Sequence, residues 1–155
     1  MSYVIGIDPG CSGAIVVLES AANPVPVEWI RMPTMMIGKS SVVDGAEVFR
    51  FLRDFDTGHA FIEHVHAMPK QGVSSVFTFG DAFGSVRTAA AVTMIPMTLV
   101  TPQAWKKRAG LIGQDKDAAR SRGIQLWPRW ADLGKKAAGQ AFADAALIAR
   151  FGSAT

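Results

Sequence analysis

Hydrophobic positions divide the N-terminal part of the chain into short apolar runs separated by turns. Residues 3–8 and 14–18 form two such runs joined by a turn that contains Pro9 and Gly10, and residues 25–32 form a third. Runs of this length are typical of strands, and their short connections predict an antiparallel meander. Two further strands are predicted over 59–63 and 97–100.

Helical spacing of apolar residues follows the first three strands. Asp44 is the predicted N-cap of a helix whose apolar positions recur up to Phe55. Residues 33–43 and 68–72 are predicted to be loops. Further helices are predicted over 73–91, from the Thr101-Pro102 cap onward, over 116–127 and over 140–151. This order predicts an α/β fold, a mixed sheet flanked by helices, in one domain spanning 1–155.

The composition of the chain is typical of a globular protein that has no disulfide and no membrane-spanning segment. The chain is 49% apolar, as expected for a globular protein. Its single cysteine, Cys11, excludes an internal disulfide and favours a reducing, intracellular location. The longest apolar stretch, 89–100, is interrupted by Pro96 and is too short to span a membrane, and no basic, apolar leader precedes the first strand. We therefore expect no membrane association.

Charge is distributed unevenly along the chain. Residues 1–100 carry six basic and nine acidic residues, a net charge of −3, whereas residues 101–155 carry ten and four, a net charge of +6. Such a basic region is either a solvated surface or a surface that binds a polyanion such as nucleic acid. Its residues include Lys106, Lys107, Arg108, Lys116, Arg120, Arg122, Arg129, Lys135 and Lys136.

Three carboxylates occupy unusual positions. Asp8 and Glu63 each end a predicted buried strand, and Asp144 interrupts an alanine-rich helix. Taken singly, Asp8 could cap its turn and Asp144 could be exposed to solvent. Close packing of an alanine-rich helix on the sheet would instead bring all three together.

Clustered carboxylates repel one another unless protons or hard cations intervene. Oxygen ligands without cysteine favour Mg²⁺ or Mn²⁺ over zinc. Two such ions can activate water and stabilise the leaving oxygen when a phosphodiester is cleaved. The residues therefore predict metal-dependent cleavage of nucleic acid.

Several segments, in order over nearly the whole chain, match one known family. They are Gly6-Ile7-Asp8-Pro9-Gly10, Gly13-Ala14-Ile15, Ile62-Glu63, Met68-Pro69-Lys70-Gln71-Gly72-Val73-Ser74-Ser75, Thr101-Pro102-Gln103-Ala104-Trp105-Lys106-Lys107 and Asp144-Ala145-Ala146-Leu147-Ile148-Ala149. This set resembles the RuvC-type Holliday junction resolvases, above all the compact versions carried by bacteriophages. The resemblance implies an RNase H-like fold, a homodimer and a bacterial cytoplasm, with no nucleotide cofactor.

The resemblance also implies an activity and its residues. The activity is paired nicking of four-way and other branched DNA with two Mg²⁺ or Mn²⁺ ions at each active site. Asp8, Glu63 and Asp144 match the metal-binding acids, and Lys116 matches a lysine that supports cleavage. The loop after Glu63 matches the segment that enters the junction centre, with His66 and Met68 as wedges. Lys106, like Lys116, falls where the family carries a lysine that contacts the DNA backbone. With the loop after Glu63 and the basic C-terminal region, the predicted DNA contacts are Lys70, Gln71, Lys106, Lys107, Arg108, Lys116, Arg120, Lys135 and Lys136.

One position departs from the family pattern. The family usually carries a fourth metal ligand about one turn before the last aspartate, where this chain has Ala141. Neither Gln140, a weak ligand, nor Asp132 clearly replaces it. A chain that binds junctions without cutting them is therefore an alternative. A phosphate-binding domain of the actin and sugar-kinase type is a third hypothesis, but that class needs a second lobe.

Overall fold

The computed structural model describes residues 2–153, which form a mixed sheet between two layers of helices. The strands are β1 (Tyr3–Asp8), β2 (Ala14–Glu19), β3 (Pro26–Arg31), β4 (Thr34–Ile37), β5 (Ser40–Val43), β6 (Gly58–Glu63) and β7 (Met97–Val100). The helices are α1 (Gly45–Leu52), α2 (Val73–Val92), α3 (Pro102–Ala109), α4 (Ala118–Leu126) and α5 (Lys136–Ser153). Two short 3₁₀ helices cover Arg53–Phe55 and Ala131–Gly134.

The central sheet has five strands in the order β3-β2-β1-β6-β7. The first three strands form the predicted antiparallel meander, whereas β6 and β7 continue the sheet in parallel with β1. Both faces of β1 and β2 are covered, which explains why their sequences are continuously apolar instead of alternating. The predicted mixed five-stranded sheet flanked by helices is confirmed.

Two hydrophobic cores lie on opposite faces of this sheet. Ile5, Ile7 and Val17 face α1 and α2, whereas Val4 and Val16 face the layer that contains α3, α4 and α5. The predicted caps are present: Asp44 accepts backbone N–H groups at the start of α1, and Thr101 accepts one at the start of α3. None of the helices described is long and apolar enough to cross a bilayer.

The prediction of a loop over 33–43 is wrong. β4 and β5 form a separate antiparallel hairpin, paired from Thr34 with Val43 to Ile37 with Ser40. Gly38 turns the chain at φ 60°, a conformation that glycine adopts without steric cost. Both strands are largely exposed, so neither shows the alternation that reveals a half-buried strand.

Two helix starts also differ from prediction. Helix α5 begins at Lys136, four residues before the predicted start at 140, and α4 begins at Ala118 instead of 116. Gly139 lies in the first turns of α5, where an added Cβ would be 2.4 Å from the Leu133 carbonyl oxygen. The glycine therefore allows α5 to extend along the 3₁₀ segment that precedes it.

Candidate active site

Parallel pairing of β1 with β6 brings two acids to one edge of the sheet. Ile7 pairs with Ile62, so the next residues, Asp8 and Glu63, end neighbouring strands side by side. The turn after Asp8 folds back on the carboxylate, because the Gly10 N–H donates to Asp8 Oδ1 at 3.5 Å. Strand geometry alone thus places two carboxylates together.

Helix α5 supplies the third acid by packing directly on the backbone of β1. A Cβ added at Gly6 would lie 1.9 Å from the Ala145 carbonyl oxygen and 2.5 Å from the Ala149 nitrogen. Only glycine permits this approach, and small side chains on α5 complete it. The close packing brings Asp144, the neighbour of Ala145, to the ends of β1 and β6.

Burial and neighbouring negative charge raise the pKa of both aspartates of this site. Burial raises the pKa of Asp8 to about 6, and the nearby charge of Glu63 adds to the shift. Burial also raises the pKa of Asp144 to about 7, with further contributions from Asp8 and Glu63. Lys106 opposes the rise in pKa at both aspartates. The site thus concentrates negative charge in a partly desolvated pocket.

Glu63 and Asp144 each accept a hydrogen bond from a neighbouring side chain. The indole N–H of Trp105 donates to Glu63 Oε2 at 2.6 Å, and the Gln140 amide donates to Asp144 Oδ1 at 3.1 Å. Within residues 2–153, no group of three Asp, Glu, His or Cys side chains is already arranged to coordinate a metal ion. The donor set nonetheless fits a hard divalent cation, because it consists of carboxylate oxygens whose repulsion a cation would relieve.

Each of the two aspartates lines a cavity of its own. Asp8 lines one of about 450 Å³, together with hydroxyl groups that include Ser12, Ser74 and Thr78. Asp144 lines another of about 300 Å³, together with Lys106 and Lys116. Asp8 and Asp144 therefore each line an accessible cavity, and the cavity of Asp144 also contains cationic groups.

Two solved structures share the fold of this chain. The chain matches a Thermus thermophilus RuvC structure with a TM-score of 0.64 and 19% sequence identity, over 97% of each chain. T. thermophilus RuvC in complex with Holliday junction substrate matches with the same TM-score and identity, over 97% of this chain and 92% of that chain. The chain has the RuvC-like fold. No protein-family model and no curated protein sequence matches it.

On this RuvC-like fold, the predicted DNA contacts fall into different surroundings. Lys107 and Lys136 are exposed, and the Arg108 guanidinium lies 5.8 Å from the centre of the Phe151 ring. Two others form local ion pairs: Arg120 with Asp117 at 2.8 Å, and Lys135 with Asp132 at 2.7 Å. The structure thus places Lys106 and Lys116 in the cavity of Asp144, and the remaining basic residues of this region line neither of the two cavities.

The loop after β6 contains the two predicted wedge residues. His66 and Met68 are both exposed. Gln71 closes a tight turn in this loop, since its side chain accepts the Met68 N–H at 3.1 Å while its own N–H donates to the Met68 carbonyl at 3.2 Å. Lys70 is exposed within that turn and adopts a φ of 66°. The loop therefore presents its side chains to solvent beside Glu63.

Three residues bear on the fourth metal ligand of the RuvC-type pattern, which this chain lacks at Ala141. Ala141 is buried in the core, whereas Gln140 lines the Asp144 cavity and contacts Asp144. Asp132 lies elsewhere, because it accepts the Trp29 indole N–H at 3.1 Å and pairs with Lys135. Gln140, and not Asp132, therefore occupies the position nearest to the last aspartate.

Sequence reasoning assigned no role to several residues of this site. Trp105 entered only as part of a matching segment, although it contacts Glu63 directly. Asp115 lines the Asp144 cavity, and Ser12 and Ser74 line the Asp8 cavity. No periodicity or spacing marks these residues, because they reach the site through tertiary packing.

Proposed function

We propose that this protein is a divalent-metal-dependent endonuclease that resolves Holliday junctions and related branched DNA by paired nicking. The observation that carries the proposal is the convergence of three acids at one edge of the sheet: Asp8 and Glu63 end paired strands, and the packing of α5 on β1 brings Asp144 towards them. The similarity of fold to RuvC, including RuvC in complex with Holliday junction substrate, supports branched DNA as the ligand.

In this proposal the three carboxylates hold two Mg²⁺ or Mn²⁺ ions. When bound, these ions would activate water and stabilise the leaving oxygen. Asp8 and Asp144 bind protons more readily than ordinary aspartates, so protons compete with the cation near neutral pH. Lys106 and Lys116 line the cavity of Asp144 and would neutralise the phosphate next to the scissile bond.

The basic C-terminal third provides the sequence-independent part of DNA binding. Its net charge of +6 would attract the phosphate backbone, with Lys107 and Lys136 exposed for contact. The loop bearing Lys70 and Gln71 extends this surface beside Glu63, and His66 and Met68 serve as its wedges at the junction centre. We expect junction affinity to fall as the salt concentration rises.

Paired nicking requires two active sites, and α2 offers a surface for a homodimer. Val73, Phe77 and Val92 are 87%, 77% and 63% exposed on this helix. Gly80 and Gly84 lie between these residues in sequence, on the side of the helix that carries Val73 and Phe77, and an added Cβ would meet nothing within 4 Å at either glycine. Apolar ends with a small-residue centre suit close contact between two copies of one helix about a twofold axis.

The proposal also includes a branch of the family and a cellular compartment. The ordered sequence segments support the bacteriophage-like branch of the RuvC-type resolvases and, with it, action in the cytoplasm of a bacterial host. The single cysteine, Cys11, suits that reducing compartment. No nucleotide cofactor is required.

A second candidate is a junction-binding protein with little or no cleavage. Ala141 favours it, because a buried alanine stands where the family carries a ligand. Metal affinity falls when coordination is incomplete, unless water, substrate oxygens or Gln140 substitutes.

Cleavage of a labelled synthetic four-way junction distinguishes the two candidates. The endonuclease is expected to nick it in Mg²⁺ or Mn²⁺ but not in chelator, and Asp8→Asn and Glu63→Gln are expected to abolish nicking while junction binding persists. Binding without nicking by the unmodified protein would establish the second candidate. Nicking that survives in Asp8→Asn would refute the assigned site.

A further inference from the structure

Helix α3 places a buried tryptophan against the end of β6. Strand β7 pairs with β6 up to Glu63 and Val100, and α3 begins immediately afterwards with Thr101 as its cap. Trp105 lies about one turn into this helix and is only 2% exposed. Its indole N–H donates to Glu63 Oε2 at 2.6 Å.

This hydrogen bond constrains both partners. A buried indole N–H is costly to leave unpaired, and the carboxylate is the acceptor that satisfies it. Because the ring is fixed by the core around it, the carboxylate cannot rotate freely without losing the bond. Hydrogen bonds of this kind commonly orient the ligands of a metal ion.

The same ring also contacts the cation of the site. Lys106 Nζ lies 5.4 Å from the centre of the Trp105 ring, within cation–π range. Lys106 also lines the cavity that contains Asp144. Trp105 thus contacts both Glu63 and a cation that lies beside Asp144.

We propose that Trp105 is a positioning residue that orients Glu63 for divalent-metal binding. The inference rests on the proposed function, since it takes Glu63 as a metal ligand. It goes further by assigning the geometry of that ligand to the indole N–H, a role that simple packing of an aromatic ring in the core would not require.

Trp105→Phe tests the proposal because it keeps an aromatic ring and removes the N–H. Measured by calorimetry with Mn²⁺ alone, its metal affinity is expected to fall roughly 10-fold to 100-fold. Trp29→Phe is the matched control, since it removes an indole–carboxylate bond to Asp132 outside the site. That variant is expected to bind Mn²⁺ like the unmodified protein.

Indole signals in ¹⁵N–¹H spectra provide a second readout that does not depend on the folding of Trp105→Phe. The Trp105 signal of the unmodified protein is expected to move when Mg²⁺ is added, and its position should differ in Glu63→Gln. A signal that responds to neither change would overturn the proposal.

Mn²⁺ binding by these variants distinguishes failure of the positioning role of Trp105 from failure of the proposed metal site. If Trp105→Phe binds Mn²⁺ normally while Glu63→Gln does not, the positioning role is wrong and the proposed metal site stands. If the unmodified protein binds no Mn²⁺, the proposed function fails and the positioning role fails with it.

Discussion

Asp144→Asn is expected to stabilise the metal-free protein at alkaline pH. Burial and the charges of Asp8 and Glu63 raise the pKa of Asp144 from 3.8 to about 7. The folded state therefore holds a proton that the unfolded state has released between these values, so ionisation of Asp144 destabilises the fold as pH rises. Asparagine is neutral and removes this penalty.

The size of the effect follows from the pKa shift. A rise of roughly three units corresponds to about 4 kcal/mol at 1.36 kcal/mol per unit. This free energy is an upper value, because the titration of Asp144 is coupled to that of Asp8 and solvent screens the charges. We therefore expect a gain of about 2 kcal/mol near pH 8. The penalty is absent below the unfolded pKa and complete above about pH 7, so the gain should vanish near pH 4.

Urea denaturation in chelator, at several pH values from about 4 to 8, measures this gain as the difference from the unmodified protein. Asp117→Asn is a control of opposite sign, because a hydrogen bond from Arg120 lowers the pKa of Asp117. Its carboxylate stabilises the fold above the unfolded pKa, so this variant should lose stability near pH 8. An Asp144→Asn variant that is destabilised at pH 8, or equally stabilised at every pH, would refute the reasoning.

Three further predictions concern packing, assembly and chemistry. Gly6→Ala should lower the melting temperature by roughly 10 °C, because its Cβ would meet the α5 backbone; an unchanged value in circular dichroism would contradict the packing described here. Phe77→Asp should convert a dimer into a monomer in light scattering, and dimers that persist would exclude the α2 interface. Lys116→Ala should slow junction nicking about tenfold while changing junction affinity less than about threefold; equal losses would make Lys116 only a binding residue.

Much of the fold follows from local sequence. Strands β1 and β6 are short apolar runs that end in carboxylates, and the Thr101-Pro102 pair marks the start of α3. These signals are local, because they depend on hydrophobic runs and on capping chemistry. The hairpin of β4 and β5 has no such signal, because both of its strands are largely exposed and only Gly38 marks its turn.

The candidate site was predictable only in part. Asp8, Glu63 and Asp144 stood out because a carboxylate among apolar residues is costly. The packing that brings Asp144 towards the ends of β1 and β6 depends on Gly6, whose role is evident only once α5 is packed against β1. The bond from Trp105 to Glu63 and the contact of Gln140 with Asp144 likewise arise from the relative placement of helices, which sequence spacing does not specify.

Anomalous diffraction from crystals soaked in Mn²⁺ tests the central claim most directly, because it locates the ion without reference to activity. The account predicts Mn²⁺ bound by carboxylate oxygens of Asp8, Glu63 and Asp144, and loss of that signal in Asp8→Asn. Mn²⁺ bound elsewhere, with none among these three side chains, would contradict it.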